Sequence, residues 1–167
     1  VEEGKVAGYN VTTNEETQQD YIVSRGNEPR YMLDTHGAWI VEGGRLKQEN
    51  ESRVHQWNGG DPATIVGDWR WMDCSASIDV TLPNAEAGRY ERLTIRAQTG
   101  MNWNNSGYTL EINGAGSWKL YRIGTQIASG TVTKNAEGKY NLKLVGLGAT
   151  VYASIDGNNA TSYTAAH

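Results

Sequence analysis

The sequence has no phenylalanine, one cysteine and three prolines among 167 residues. A lone cysteine excludes an intrachain disulfide and any metal cluster built from cysteines. Apolar runs are short as well, and none approaches the roughly 18 residues that a membrane-spanning helix needs. The first ten residues also lack the apolar core of a signal peptide. We therefore expect no membrane partner.

Basic residues are not in excess. The formal net charge is −4, and residues 1–36 account for all of it, with seven acidic and three basic side chains. The remaining chain has twelve of each. Proteins that bind nucleic acids neutralise phosphates with a basic surface, so this charge distribution argues against a nucleic-acid partner.

Glycine, tyrosine and tryptophan are abundant, with 20, nine and six residues. Apolar and polar residues alternate in four segments: 74–82, 93–97, 108–112 and 151–155. This period of two is typical of strands with one buried face. The same features, bounded by turns such as Asn113-Gly114 and Asp156-Gly157, predict further strands at 38–42, 45–48, 118–123, 126–133 and 139–145. From residue 107 onward we expect one antiparallel meander.

Strands of this kind must pair their apolar faces, so we predict an all-β fold, a two-sheet antiparallel β-sandwich or jelly roll. Residues 1–20 are polar and acidic and are expected to form an arm or linker. Residues 21–167 are expected to form the sandwich, with a polar terminal loop at 158–167. The predicted core consists of Trp39, Trp71, Ile78, Val80, Leu93, Ile95, Leu110, Trp118 and Ile155.

Two predicted loops combine a tryptophan with amide side chains. A sugar ring stacks its apolar face on an aromatic platform, while planar amides and charged groups bind its hydroxyls. The strand that leads into the second loop adds polar side chains. The candidate carbohydrate-binding residues are Trp57, Asn58, Arg96, Gln98, Trp103, Asn104 and Asn105. In the alternative interpretation, the two tryptophans simply close the ends of the sandwich.

The chain shows no catalytic arrangement. Retaining glycosidases hold two carboxylates about 5 to 5.5 Å apart, and no Glu-x-Asp-x-Glu strand pattern occurs. The strand acids Asp79, Glu111 and Asp156 are isolated on polar faces. The histidines lack metal-ligand spacing, and no serine lies in a nucleophile elbow. We expect neither catalysis nor a required cofactor.

Six stretches resemble the carboxy-terminal lectin-like domain of galactocerebrosidases (galactosylceramidases): residues 25–39, 46–48, 57–71, 106–110, 116–120 and 128–132. The most specific match is Ile65-Val66-Gly67-Asp68 followed by Trp71, and the resemblance extends from about residue 21 to 157. It implies a concanavalin A-like jelly roll. In that family the domain is a non-catalytic, β-galactoside-oriented module beside a catalytic (β/α)₈ barrel.

The resemblance implies a secreted, extracellular protein whose partners are a carbohydrate and a barrel domain. The chain departs from the family at both ends: the first strand is only loosely similar, and the closing carboxy-terminal strand is missing. A chain segment that completes the open sheet edge is therefore a further expected partner. Those ends carry the calcium ligands of the family, which makes Asp20 a candidate calcium ligand.

Three functions follow from these observations. The leading hypothesis is a carbohydrate-binding, lectin-like module of a glycoside hydrolase. The second is a structural domain that supports a barrel and has no sugar affinity of its own. The third is a stand-alone β-sandwich glycosidase with an unrecognised acid pair.

Overall fold

A computed structural model of the chain describes residues 5–6, 9–14, 19–24, 31–36, 39–42, 45–48, 63–67, 71–82, 88–97 and 104–166. The regular secondary structure of these residues is entirely β-strand. None of them forms an apolar helix that could span a membrane. The chain divides into two compact units, residues 1–69 with 100–102 and residues 70–99 with 103–167.

The described residues of the first unit form seven strands in three small antiparallel sheets. They are β1 (Lys5–Val6), β2 (Tyr9–Asn14), β3 (Gln19–Ser24), β4 (Tyr31–His36), β5 (Trp39–Glu42), β6 (Arg45–Gln48) and β7 (Ala63–Gly67). The sheet orders are β1-β2-β3, β4-β7 and β5-β6. The predicted strands at 38–42 and 45–48 correspond to β5 and β6.

Strands also occupy part of segment 1–20, for which we predicted an aperiodic arm. The β-branched run Val11-Thr12-Thr13 favours extended backbone and accounts for β2. The division into an arm and a domain beginning at residue 21 stays a prediction. Asp20 belongs to β3, but its side chain lies outside the described residues, so the calcium site stays a prediction too.

In the second unit, the part of the chain that the structure describes forms eight strands. They are β8 (Cys74–Thr81), β9 (Tyr90–Ile95), β10 (Tyr108–Asn113), β11 (Ser117–Arg122), β12 (Thr125–Thr131), β13 (Lys139–Leu147), β14 (Thr150–Ile155) and β15 (Asn158–Thr164). The first sheet has the order β12-β11-β10-β9, and the second has the order β15-β14-β13-β8. Both are antiparallel.

The predicted all-β sandwich is confirmed, but the single meander is wrong. The chain forms β8 in the second sheet, then β9 to β12 as a meander in the first sheet. It returns to the second sheet with β13, which pairs with β8. The connection from β12 to β13 therefore joins the two sheets.

The core lies between the apolar faces of these two sheets. Of the predicted core, Val80, Leu93, Ile95, Leu110, Trp118 and Ile155 are buried, and Ile78 is partly buried against them. Each fully buried aliphatic side chain contributes about 1.5 to 3 kcal/mol to folding. Trp71 is the wrong prediction, because its side chain is 50 % exposed. The side chain of Trp39 lies outside the described residues.

Glu91 faces this core from β9. Its register partner is Ile112, which is fully buried, so both side chains lie on the inner face of the first sheet. Burial raises the pKa of the Glu91 carboxyl, and the adjacent Arg92 only partly opposes that shift. A carboxyl whose pKa is raised on folding stabilises the fold when protonated and ceases to do so as the pH rises through the folded pKa.

We therefore expect Glu91→Gln to raise the free energy of unfolding at pH 7. The gain shrinks as the pH falls through the raised folded pKa, and it is lost below the ordinary carboxyl pKa of about 4.3, because the wild-type carboxyl is then neutral in both the folded and the unfolded state. Urea unfolding of both proteins at pH 7 and at acidic pH measures this difference. A gain in the free energy of unfolding that is the same at both pH values would contradict a raised pKa of the Glu91 carboxyl.

A two-residue hairpin turn joins β11 to β12. Ile123 and Gly124 both have positive φ, 46° and 74°, the backbone of a type I′ turn. A β-branched residue is strained there, and the Ile123 side chain is largely exposed.

We expect Ile123→Asn to raise the free energy of unfolding by about 1 kcal/mol, since asparagine tolerates the left-handed region that strains isoleucine. Thermal unfolding measures the change. Ile123→Val is the matched control, because valine keeps the β-branch and should bring no gain.

The carboxy-terminal segment is a strand, so the predicted loop at 158–167 is wrong. β15 pairs with β14 through a turn at Asp156-Gly157, where φ is 52° and 78°. The Asp156 carboxylate accepts the Asn141 N–H at 2.8 Å, which ties the turn to β13. Tyr163 packs against the core, with its ring centroid 6.2 Å from that of Tyr108. Among the described strands, β15 is an edge of the second sheet.

Candidate functional site

One end of the sandwich gathers most of the exposed apolar side chains. In the first sheet the registers place the first residues of β10 and β12 beside the last residues of β9 and β11. In the second sheet they place the first residues of β8 and β14 beside the last residues of β13 and β15. The bond from Arg96, directly after β9, to Met72, just before β8, brings these two sheet ends together. We call this end of the sandwich the Trp71 end. Five large hydrophobic side chains of the described residues are exposed, and four of them lie here: Trp71, Met72, Ile123 and Leu147.

Trp71 lies three residues before β8. In β8 the even-numbered residues from Cys74 onward point inward and the odd-numbered ones are exposed. Residues 71–73 precede the strand and all three are exposed, Met72 by 68 %, so the alternation of β8 does not extend to them. Trp71 is thus half exposed at a position before the β8 ladder begins, although tryptophan is usually buried.

Two charged side chains, those of Arg96 and Asp73, interact where the chain enters β8. Arg96 Nε donates to the carbonyl oxygen of Met72 at 2.6 Å, and Arg96 Nη2 lies 3.6 Å from Asp73 Oδ1. The same Asp73 oxygen accepts the Gly148 N–H at 2.8 Å. These contacts connect the end of β9, the start of β8 and the turn after β13.

Asn104 and Asn105 lie at the same end and are exposed. Gly107, two residues further on, packs on the backbone of Arg96 and accepts the Ile123 N–H at 3.0 Å. Asn104 in turn rests against Gly124, where an added Cβ would come within 2.9 Å of the Asn104 Cβ. The loop and the β11–β12 turn thus support each other and hold the two amides near the end of β9.

Three of the seven predicted site residues, Arg96, Asn104 and Asn105, therefore share the Trp71 end. Trp57, Asn58, Gln98 and Trp103 lie outside the described residues. Their part in sugar binding stays a prediction, as does that of the three placed residues. Trp71 and Asp73 are absent from the predicted set. The alternation of β8 does not extend to residues 71–73, which are all exposed, so no local pattern in the sequence identifies Trp71.

A second polar cluster covers the outer face of the first sheet. Arg92 Nε donates to Glu111 Oε2 at 2.8 Å, and the Arg92 guanidinium lies 4.4 Å from the centroid of the Tyr90 ring. The Tyr121 hydroxyl donates to the other Glu111 oxygen at 3.5 Å. Burial, assisted by the charge of Glu111, raises the pKa of the Tyr121 hydroxyl. Glu111 is thus held in a network between neighbouring strands.

The other two strand acids also have local partners. Asn141 Nδ2 donates to Asp79 Oδ1 at 2.8 Å and to Ser77 Oγ at 3.1 Å. Asp156 holds the β14–β15 turn. These contacts fit the interpretation of the strand acids as polar-face residues. Among the described residues, no group of three or more histidine, cysteine, aspartate or glutamate side chains could hold a metal ion.

The sandwich fold is shared with a solved protein. The structure is similar to the carbohydrate-binding module CBM66 from Bacillus subtilis, with a TM-score of 0.63 over 81 % of this chain and 80 % of that chain. The sequence identity is 15 %, so the likeness establishes the fold alone. No protein-family model matches the chain, and no curated protein matches it either. The resemblance to the galactocerebrosidase domain thus stays an interpretation of the sequence.

Proposed function

We propose that the chain is a non-catalytic carbohydrate-binding module whose ligand stacks on Trp71. The observation that carries the proposal is a half-exposed indole at the Trp71 end, in a sandwich where the tryptophan of β11 is buried. An exposed aromatic ring gives the C–H face of a sugar a flat apolar platform. The fold shared with a protein described as a carbohydrate-binding module supports the same function.

The polar groups around the platform suit sugar hydroxyls. Asn104 and Asn105 each offer an amide that both donates and accepts hydrogen bonds, as hydroxyls do. The Asp73 side chain is 64 % exposed, and its carboxylate has acceptor capacity beyond the bond from Gly148. A ligand that covers the indole would find both donors and acceptors at this end.

We further propose that the ligand is a β-galactoside and that the module belongs to a secreted glycoside hydrolase with a (β/α)₈ barrel. This finer assignment rests on the galactocerebrosidase-like stretches, above all Ile65-Val66-Gly67-Asp68 with Trp71. The residue that completes this match is also the exposed platform. The barrel would supply the catalytic carboxylates.

Calorimetric titration of the chain with lactose, methyl β-galactoside and methyl α-glucoside tests both levels. We expect saturable binding of the galactosides with a Kd of about 1 mM or tighter. Binding of the glucoside alone would reject the galactoside assignment but keep the carbohydrate one. If neither these ligands nor a panel of polysaccharides bind, the result favours the second hypothesis, a structural domain that supports a barrel and has no sugar affinity of its own.

Turnover of an aryl β-galactoside separates this proposal from a stand-alone glycosidase. We expect none above the uncatalysed rate. Hydrolysis by the purified chain would contradict a non-catalytic role and direct attention to the strand acids Asp79, Glu111 and Asp156.

A further inference from the structure

Arg96 has a backbone conformation that is unfavourable for a non-glycine residue, and its side chain contacts other residues of the chain. It follows β9 directly, and its φ of 56° lies in the left-handed region that non-glycine residues avoid. Its side chain is only 16 % exposed. A conformation of this kind persists only where surrounding contacts favour it strongly.

The contacts of the Arg96 side chain are with the segment 71–73, which carries Trp71. The Nε–H bond to the Met72 carbonyl, at 2.6 Å, fixes the residue directly after Trp71. The Nη2 atom lies 3.6 Å from Asp73, which in turn accepts the Gly148 N–H. The guanidinium of arginine is suited to binding this segment because its N–H donors are held in one plane.

Gly146 of β13 makes room for the guanidinium. A Cβ at this position would come within 3.0 Å of Arg96 Cζ, Nε and Nη2. Gly146 pairs with Cys74, the first residue of β8. The guanidinium therefore lies against the second sheet where the segment 71–73 enters it, with its Nε–H bound by the Met72 carbonyl.

We propose that Arg96 is a positioning residue, which orients Trp71 for its ligand by binding the 71–73 segment instead of contacting the sugar. This inference rests on the proposed function for its effect on affinity. It differs from our sequence-based expectation, in which Arg96 reached the sugar directly.

The test variant is Arg96→Gly, because glycine adopts the same left-handed backbone without strain and only the guanidinium is lost. The first readout needs no ligand: acrylamide quenching of Trp71 emission, taken as the difference between proteins with and without Trp71→Phe. We expect Arg96→Gly to change this quenching. Unchanged quenching would overturn the proposal, whatever happens to sugar binding.

The second readout is a double-mutant cycle on galactoside affinity. We expect Arg96→Gly to weaken binding about 5- to 10-fold when Trp71 is present and less than about 2-fold in combination with Trp71→Phe. An equal loss in both backgrounds means direct contact with the ligand and overturns the proposal. If the unmodified protein binds no sugar, the proposed function fails, while the quenching measurement still decides the positioning role.

Two further variants serve as controls. Arg122→Gln removes a positive charge from the same end and should leave Trp71 quenching and affinity unchanged; an equal effect would mean that charge, not position, matters. Gly146→Ala keeps Arg96 but displaces its guanidinium, and it should reproduce the change in quenching. It also replaces Arg96→Gly if that protein does not fold.

Discussion

Replacing Trp118 with alanine is expected to lower the free energy of unfolding by about 3 to 5 kcal/mol. Trp118 is 7 % exposed and lies in β11, between β10 and β12. Its ring covers Gly130, its register partner in β12, where an added Cβ would come within 2.7 Å of the ring Cζ2. Because glycine has no side chain to fill the vacated space, truncation of the ring leaves a cavity. Urea unfolding measures the loss.

Gly130→Ala is the matched control for this packing. In the presence of Trp118 the added methyl overlaps the ring, and we expect a loss of about 1 to 3 kcal/mol. Combined with Trp118→Ala the methyl has room, so the double variant should be more stable than the two separate losses predict. Additive losses, or a loss below about 1 kcal/mol for Trp118→Ala, would contradict the burial of the ring.

The alternation of apolar residues was enough to predict the central strands and most of the core. Leu93, Leu110 and Ile155 are buried where a period of two places them. The pattern is clear in these strands because each has one face entirely in the core. It does not predict which strands share a sheet, since the pairing of β13 with β8 joins residues that are 58 to 72 positions apart in the chain.

The alternation of apolar residues did not predict a strand where only part of a strand face is buried. In β15, Ala160 and Tyr163 are the apolar residues that pack against the core, and the rest is polar, as suits an edge strand. The hairpin at Asp156-Gly157 and the ladder to β14 determine this strand. The turn at Asp156-Gly157 was the available signal, but the polar composition of residues 158–167 led to the prediction of a loop.

The kinds of residue at the candidate site were easier to predict from the sequence than the particular residues. Loop amides led to Asn104 and Asn105, which are exposed as a ligand would require. Trp71 was misassigned because a tryptophan next to a strand is usually buried. The role proposed for Arg96 depends on a left-handed backbone and on a carbonyl 24 residues away, and neither follows from local sequence.

Under the proposed function, stability and binding depend on different tryptophans in this chain. Trp118 contributes its whole ring to the core, while half of the Trp71 ring contacts solvent. Removal of the ring should consequently affect a different property at each of the two positions. Trp118→Ala should cost stability, and Trp71→Ala should cost affinity.

We expect Trp71→Ala to weaken galactoside binding about 10-fold or more, equivalent to about 1.4 kcal/mol or more. Loss of an aromatic stacking platform costs on the order of 1 to 3 kcal/mol in the comparable case of nucleic-acid bases. The free energy of unfolding should change by less than about 1 kcal/mol, because an exposed ring adds little to the core. Calorimetric titration and urea unfolding of the same preparation measure both quantities.

Tyr152→Ala is the matched control for this prediction. Tyr152 is also an exposed aromatic residue, 42 % accessible, but it lies in β14 between Val145 and Ser162, on the outer face of the second sheet. Its removal should leave galactoside affinity unchanged if the ligand stacks on Trp71. The reverse result, with affinity lost in Tyr152→Ala and kept in Trp71→Ala, would move the binding site from the end of the sandwich to its flat polar face. There, Asn141 and Asp79 would replace Asn104 and Asn105 as the groups that bind the sugar hydroxyls.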